Sequence, residues 1–453
     1  MPAPQLPKFA DQNGAVALIT ALGDNFAVVE NPPYIYPRYE LYPLAEARTG
    51  LDDGCVAAVM DMDGTTTTTE VLCIGALETM TRRMSGLPDC ADAPFLDHDR
   101  DFPHIIGNST TKHVEYLAHT YGAGFNVSAI CRHFIRAAAW TMTLGMDPRR
   151  RVEAEQALRA QGLHALTSDP AFAHLCHLLR NNHPDLDKVN EALALRCTPR
   201  LRASETADFT RIGIEIYYQR YHETLQGIEA GTTQPPPGQA RFIEPMPGVG
   251  ITLALIKGWL GEDASRFGEE LAAHLRALGV GTEEDIVAGM RRLGRLGAWF
   301  ETHPVKPTLV TSSIAAEAKI VLNEVFRVVA DDALNWPLPA DRRDWLHERF
   351  SDTAGVYAAI ITADDSSEIR LKPHRDLYAI ALHALGVTPD QFHRVVGFED
   401  SESGTIAIRA AGISLCCALP FAMTQGHRFE AATHVCPGGL PEVLLLRNFF
   451  LPL

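Results

Sequence analysis

The chain lacks the marks of several large protein classes. Its nine cysteines are odd in number and form no C-x-x-C pair, which argues against a disulfide framework and for a reducing compartment. Cys416 and Cys417, adjacent in an apolar run, read as core residues. No apolar run approaches the roughly 18 residues of a membrane span. Basic residues are outnumbered, with 40 Lys and Arg against 56 Asp and Glu and a formal net charge of −16. That balance disfavours a nucleic-acid surface, which needs a basic stripe. It suits a protein whose anionic ligand meets a local positive site or a metal ion. The apolar Ala15–Leu22 stretch follows Asp11 and Gln12 instead of a basic region and makes a poor signal peptide. The expectation is a cytoplasmic protein without a membrane partner, in which the sequons at Asn108 and Asn126 carry no sugar. No internal repeat is evident.

What is present is a chain of 453 residues, too long for one simple core. Short, nearly continuous apolar runs occur at Cys55–Asp61, Pro307–Ser313, Gly355–Ala363, Arg394–Asp400 and Gly412–Leu419. Runs of this kind suit strands buried on both faces of a parallel sheet. Helical stretches at Ala315–Phe326, Arg375–Gly386 and Ser403–Gly412 alternate with the later runs. The alternation predicts an α/β fold with an open, Rossmann-like parallel sheet. Between residues 73 and 244 the spacing turns helical, with a proline-rich linker at Thr232–Gln239. We therefore expect an extension packed on the core over 1–54, core over 55–72, an enlarged helical cap inserted over 73–244, and core over 245–453. A smaller helical insertion is expected near 261–292.

In open α/β sheets ligands bind beyond the carboxyl ends of the strands. The runs there end in Asp61, Asp63, Gly64 and Thr65; in Thr311, Ser312 and Ser313; and in Glu399, Asp400 and Ser401. Lys372 stands ahead of the fourth run. Carboxylates, hydroxyls and a cation are the equipment for phosphoryl transfer through an aspartyl phosphate with magnesium. A polar turn after a strand is the plain alternative for Thr66–Thr69.

Taken in order, these residues resemble the four motifs of the haloacid dehalogenase superfamily. Asp61-Met62-Asp63-Gly64-Thr65 matches D-x-D-G-T. Thr311 with Ser312 matches the second motif. Lys372 with Pro373, Asp376 and Tyr378 matches the third. Glu399, Asp400, Ser401, Gly404, Ala407, Ala410, Ala411 and Gly412 match the fourth. The likeness covers about 55–72 and 245–450 and is closest to the branch of phosphoglycolate phosphatase and β-phosphoglucomutase. It implies Asp61 as nucleophile and Asp63 as general acid and base. It also implies phosphoryl binding by Gly64, Thr65, Thr311, Ser312 and Lys372, and a Mg²⁺ ion held by Asp61, Asp63, Glu399 and Asp400. The threonines are expected to form a turn and small hairpin gating the site, with Thr68 where relatives usually carry aspartate.

Other segments divide between function and plain structure. Asn108, Lys112 and His113, early in the cap, are candidate substrate contacts, or part of an ordinary helix start capped by Ser109 or Thr110. His174, Cys176, His177 and His183 suggest zinc only superficially, because their offsets do not share one helical face. Arg149–Arg151 reads as a solvated helix start. The expectation is a magnesium-dependent phosphatase acting on a small phosphorylated metabolite, with no nucleic-acid partner. A phosphomutase, or a non-catalytic binding or assembly protein on the same fold, are the alternatives.

Overall fold

The computed structural model describes the chain except for residues 1–7, 32–34, 52, 90–93, 107–108, 234, 236–240, 368–369, 425 and 452–453. Asn108 and most of the proline-rich linker lie outside the described residues. The extension forms an exposed helix, α1 (Gln12–Leu22), and an antiparallel pair, β1 (Phe26–Glu30) with β2 (Tyr39–Pro43). Then β3 (Ala57–Asp61) enters the core, every residue buried.

Among the described residues, eight α-helices follow between β3 and the return to the core. They are α2 (Glu70–Ser85), α3 (His98–Ile105), α4 (Thr110–Tyr121) and α5 (Val127–Leu144), then α6 (Pro148–Ala160), α7 (Pro170–Arg180), α8 (Leu186–Cys197) and α9 (Thr206–Glu229). Two of them open alike. Asp147 and Asp169 accept the amides of Arg149 and Ala171, each at 2.8 Å, with Pro148 and Pro170 in the first turn. Such caps satisfy amides that a helix start leaves without partners.

The chain returns through α10 (Val249–Ile256), α11 (Gly268–Leu278) and α12 (Glu283–Thr302). The rest alternates: β4 (Lys306–Val310), α13 (Ala315–Ala333), α14 (Ala340–Phe350), α15 (Thr353–Val356), β5 (Ala359–Ile361) and α16 (Asp376–Ala384). Next come β6 (Val395–Glu399), α17 (Glu402–Ala410), β7 (Leu415–Ala418), β8 (His434–Val435) and α18 (Gly439–Leu445).

The main sheet is parallel throughout, in the order β5-β4-β3-β6-β7-β8. This is the Rossmann-like α/β arrangement expected from the runs. Strands β3, β6 and β7 are buried along their whole length because helices cover both faces. The register sets Asp61 opposite Val310 and Met60 opposite Phe398. Thr311 and Glu399 therefore emerge on either side of Asp61.

Three local expectations are corrected. The run Gly355–Ala363 is strand only over Ala359–Ile361. Asp352 accepts the amide of Ala354 at 3.0 Å and nucleates the short α15 instead. Arg150 is not solvated. Its side chain is 12% exposed, ion-paired to Glu215 at 2.7 Å, with the guanidinium 4.2 Å from the centre of the Tyr218 ring. The threonine run forms no hairpin among the described residues. The Thr66 and Thr67 amides both bond Met62 O at 2.9 Å, a tight turn that passes directly into α2. A bridge between Thr67 and Pro245 ties that turn to the returning chain.

Candidate active site

The turn after β3 explains why the motif carries glycine. Gly64 has φ +79°, a conformation that L side chains resist. An added Cβ there would lie 2.5 Å from Asp400 Oδ2. The glycine lets the first-motif turn close directly over the fourth-motif carboxylate. Ligand atoms of Asp61, Glu399 and Asp400, all buried, lie within 4.8 Å of one another. Among the described residues this is the only such acidic, histidine or cysteine group, and His174, Cys176, His177 and His183 form none.

Lys372 is buried and bonds Asp61 Oδ1, Glu399 Oε1 at 2.7 Å and Val310 O at 3.2 Å. The second oxygen of Glu399 accepts from the amide and hydroxyl of Ser401 at 3.1 and 2.9 Å. Tyr378 Oη donates to Glu399 Oε1 at 3.2 Å. Gly404 makes this fit possible, since a Cβ there would collide with Glu399 Oε1 at 1.7 Å. Burial raises Asp61 and Asp400 well above the ordinary carboxylate range, and Glu399 beside each pushes further in the same direction. The ion pairs raise Lys372 against the opposing effect of burial. Lys372 thus stays charged but does not neutralise the group.

Asp63 is set apart from that trio. It accepts from the Thr69 hydroxyl, and from Thr311 Oγ1 and Ser313 Oγ at 3.4 and 3.3 Å. Burial raises its carboxyl, while the Thr69 hydrogen bond opposes the shift. Thr65 Oγ1 reaches Asp400 at 3.5 Å, and Thr311 Oγ1 accepts the Ser313 amide at 3.0 Å. Ser312 is exposed at the edge of this loop. The nine core residues singled out from sequence therefore meet at one end of the sheet.

The cap candidates do not join them as directly. Lys112 is exposed and His113 half-buried on α4. Ser109 occupies the N-cap position of that helix but makes no side-chain cap bond. The loop ahead of α4 does reach the core: the His427 ring bonds Ile106 O at 3.0 Å. On the opposite side of the site, His222 of α9 pairs with Glu317 of α13 at 2.6 Å, both buried. Glu317 in turn accepts the Ile314 amide at 3.3 Å, next to the Thr311–Ser313 loop. Thr68, at the divergent motif position, bonds Glu244 at both its amide and its hydroxyl, at 3.0 and 2.9 Å.

Sequence reasoning missed Glu70. Burial raises its carboxyl well above the usual range, and Asp63 and Asp61 add to the shift. Its Oε2 is buried without a hydrogen-bond partner. The available signal was position alone, directly after the last threonine at a helix start.

No protein-family model matches the chain, and no curated protein matches it. Solved structures do resemble it. CbbY from Rhodobacter sphaeroides in complex with phosphate is 15% identical, with 86% of this chain and 96% of that one covered and a TM-score of 0.36. A HAD family hydrolase from Deinococcus radiodurans with bound phosphate and sodium is 15% identical over 86% and 91%, with a TM-score of 0.34. A hydrolase from Pseudomonas syringae is likewise similar, at 13% identity over 86% and 96% and a TM-score of 0.35. At such values these likenesses add no weight of their own. The fold stands on the strand order, and the site on its side chains.

Proposed function

We propose that the chain is a magnesium-dependent phosphotransferase of the haloacid dehalogenase kind, acting as a phosphatase on a small phosphomonoester. The observation that carries this reading is the meeting of Asp61, Asp63 and Asp400, beyond the carboxyl ends of the adjacent strands β3 and β6, with Lys372 from the loop ahead of α16. The buried acidic trio of Asp61, Glu399 and Asp400 carries more negative charge than one ion-paired lysine balances, and burial raises the proton affinity of Asp61 and Asp400. That donor set fits a hard divalent cation. Asp61, Asp400 and Glu399 would hold Mg²⁺, with Asp63 as a further candidate ligand. The bound ion would supply Lewis-acid neutralisation of phosphoryl oxygens.

The chain's own residues divide the remaining work. Asp61 attacks phosphorus and becomes the aspartyl phosphate. Asp63, with its raised proton affinity, holds the proton that the departing alkoxide needs. It then takes a proton from the water that cleaves the acyl phosphate. Thr311, Ser312 and the turn at Gly64 and Thr65 receive phosphoryl oxygens, and Lys372 offsets their charge. Asn108, Lys112 and His113 are proposed to contact the rest of the substrate.

A panel of phosphorylated metabolites assayed with Mg²⁺ tests the reading. Phosphate release without a bisphosphate activator is the expected result. Isomerisation without release would make the chain a mutase. Silence across the panel from folded protein would favour a binding module.

A further inference from the structure

The N-terminal extension contributes no group to the chemistry above, yet it is fastened to the core. Ala27, Val29 and Tyr42 are buried against Ala410 and Ile406 of α17. The Ala45 amide bonds Arg409 O at 3.0 Å, and the Arg409 guanidinium returns a bond to Ala45 O. This packing points one edge of β2 at the loop that carries Lys372.

Two side chains of β2 hold that loop on both sides of the lysine. Both Glu40 oxygens accept from Arg370, at 3.0 and 2.9 Å. Tyr42, 5% exposed, donates its hydroxyl to Glu40 at 2.6 Å and lies 2.7 Å from Nδ1 of His374, itself 4% exposed. Because the Tyr42 hydroxyl donates to Glu40, the His374 contact is an Nδ1–H donating to the phenol oxygen. The Arg375 guanidinium lies 5.3 Å from the centre of the Tyr42 ring. Arg370 also pairs with Asp376 at 2.9 Å, joining the clamp to the start of α16. The Tyr42 hydrogen bond lowers the Glu40 carboxyl to about 2, so Glu40 stays ionised. Positions 370, 374 and 375 are thus all gripped from one hairpin, and Lys372 between them projects inward to Asp61 and Glu399.

We propose that Glu40 and Tyr42 are positioning residues for Lys372, and that the extension serves as a clamp on the lysine loop. This rests on the phosphotransferase reading for its effect on turnover, but not for its effect on the lysine. A misplacement of about 1 Å away from the chemistry can cost on the order of a hundredfold in rate.

The test uses full-length Glu40→Gln/Tyr42→Phe, with Val29→Ala as a control buried in the same hairpin but outside the clamp. With an aryl phosphate as substrate, the double variant should lose roughly 10- to 100-fold in kcat, with KM changed by less than about threefold. Val29→Ala should lower the melting temperature and leave kcat within about twofold. Acylation of Lys372 by an amine-directed ester, followed by peptide mass spectrometry, gives a readout independent of catalysis. The Lys372 side chain is 8% exposed and held by Asp61 and Glu399, so release of the loop should raise its labelling rate at least about fivefold. Unchanged labelling, or a kcat loss in Val29→Ala equal to that of the double variant, overturns the proposal. If the double variant does not fold, Tyr42→Phe alone, which removes one oxygen, is held to the same two outcomes. A wild-type chain that releases no phosphate would sink the proposed function, while the labelling comparison would still decide the clamp.

Discussion

Asp400 lies beneath Gly64, close enough that any side chain at position 64 would strike it. Its proton affinity, like that of Asp61 and Glu70, is raised by burial and by neighbouring carboxylates. A raised folded-state value means that the group's contribution to stability is complete below its unfolded value and is lost as pH rises through the folded one. In EDTA, stability contributed by these acids should therefore fall as pH rises above the ordinary carboxylate range. A cation that binds the ionised set reverses this, so the rise in melting temperature on adding Mg²⁺ should be larger at about pH 8 than at about pH 5. Asp400→Asn should raise the melting temperature in EDTA at the higher pH and abolish the response to Mg²⁺. Calorimetry of both proteins checks this, and a variant that kept the full Mg²⁺ response would contradict the assignment. Most of this chemistry was legible in the sequence, because D-x-D-G-T and the Glu399-Asp400 pair end apolar runs. Glu70 was not legible, since a glutamate at a helix start is an ordinary residue until its burial is known.

Helix α9 shows where reading by element succeeds and stops. Its spacing marks a helix, but the partners of Glu215, Tyr218 and His222 lie on other elements and leave no local pattern. Glu215 pairs with Arg150, yet burial outweighs that pairing and raises its carboxyl to about 7. Its stabilising contribution is present below about pH 4.5 and fades as pH rises toward 7, by roughly 3 kcal/mol at full loss. Glu215→Gln should flatten the slope of urea-unfolding stability over that window. Identical slopes would show Glu215 ionised throughout. Strands β3, β4 and β6 were legible because burial on both faces forces continuous apolar composition. The β1–β2 pair was not, because Val28 and Leu41 are 66% and 44% exposed and its buried partners belong to α17. The threonine run misled for a related reason. β-Branched residues suit a hairpin, but Thr66, Thr67 and Thr69 spend their hydroxyls on Asp61 O, on each other and on Asp63.

Across the whole molecule, the parallel sheet is joined by the N-terminal β1–β2 pair and, among the described residues, by eight helices between β3 and α10. No helix among the described residues is long and apolar enough to cross a membrane. The insertion touches the core near the site through His222 with Glu317, and through Ile106 with His427. Lys112→Ala should raise KM for the best substrate and leave turnover of a minimal aryl phosphate nearly unchanged. Equal losses on both would assign that helix to closure instead. The central claim is that Asp61 forms the covalent bond to phosphorus, and Asp61→Asn tests it most directly. The account predicts a folded protein whose kcat for phosphate release falls by at least about a thousandfold. A variant retaining more than about a tenth of the activity would contradict it.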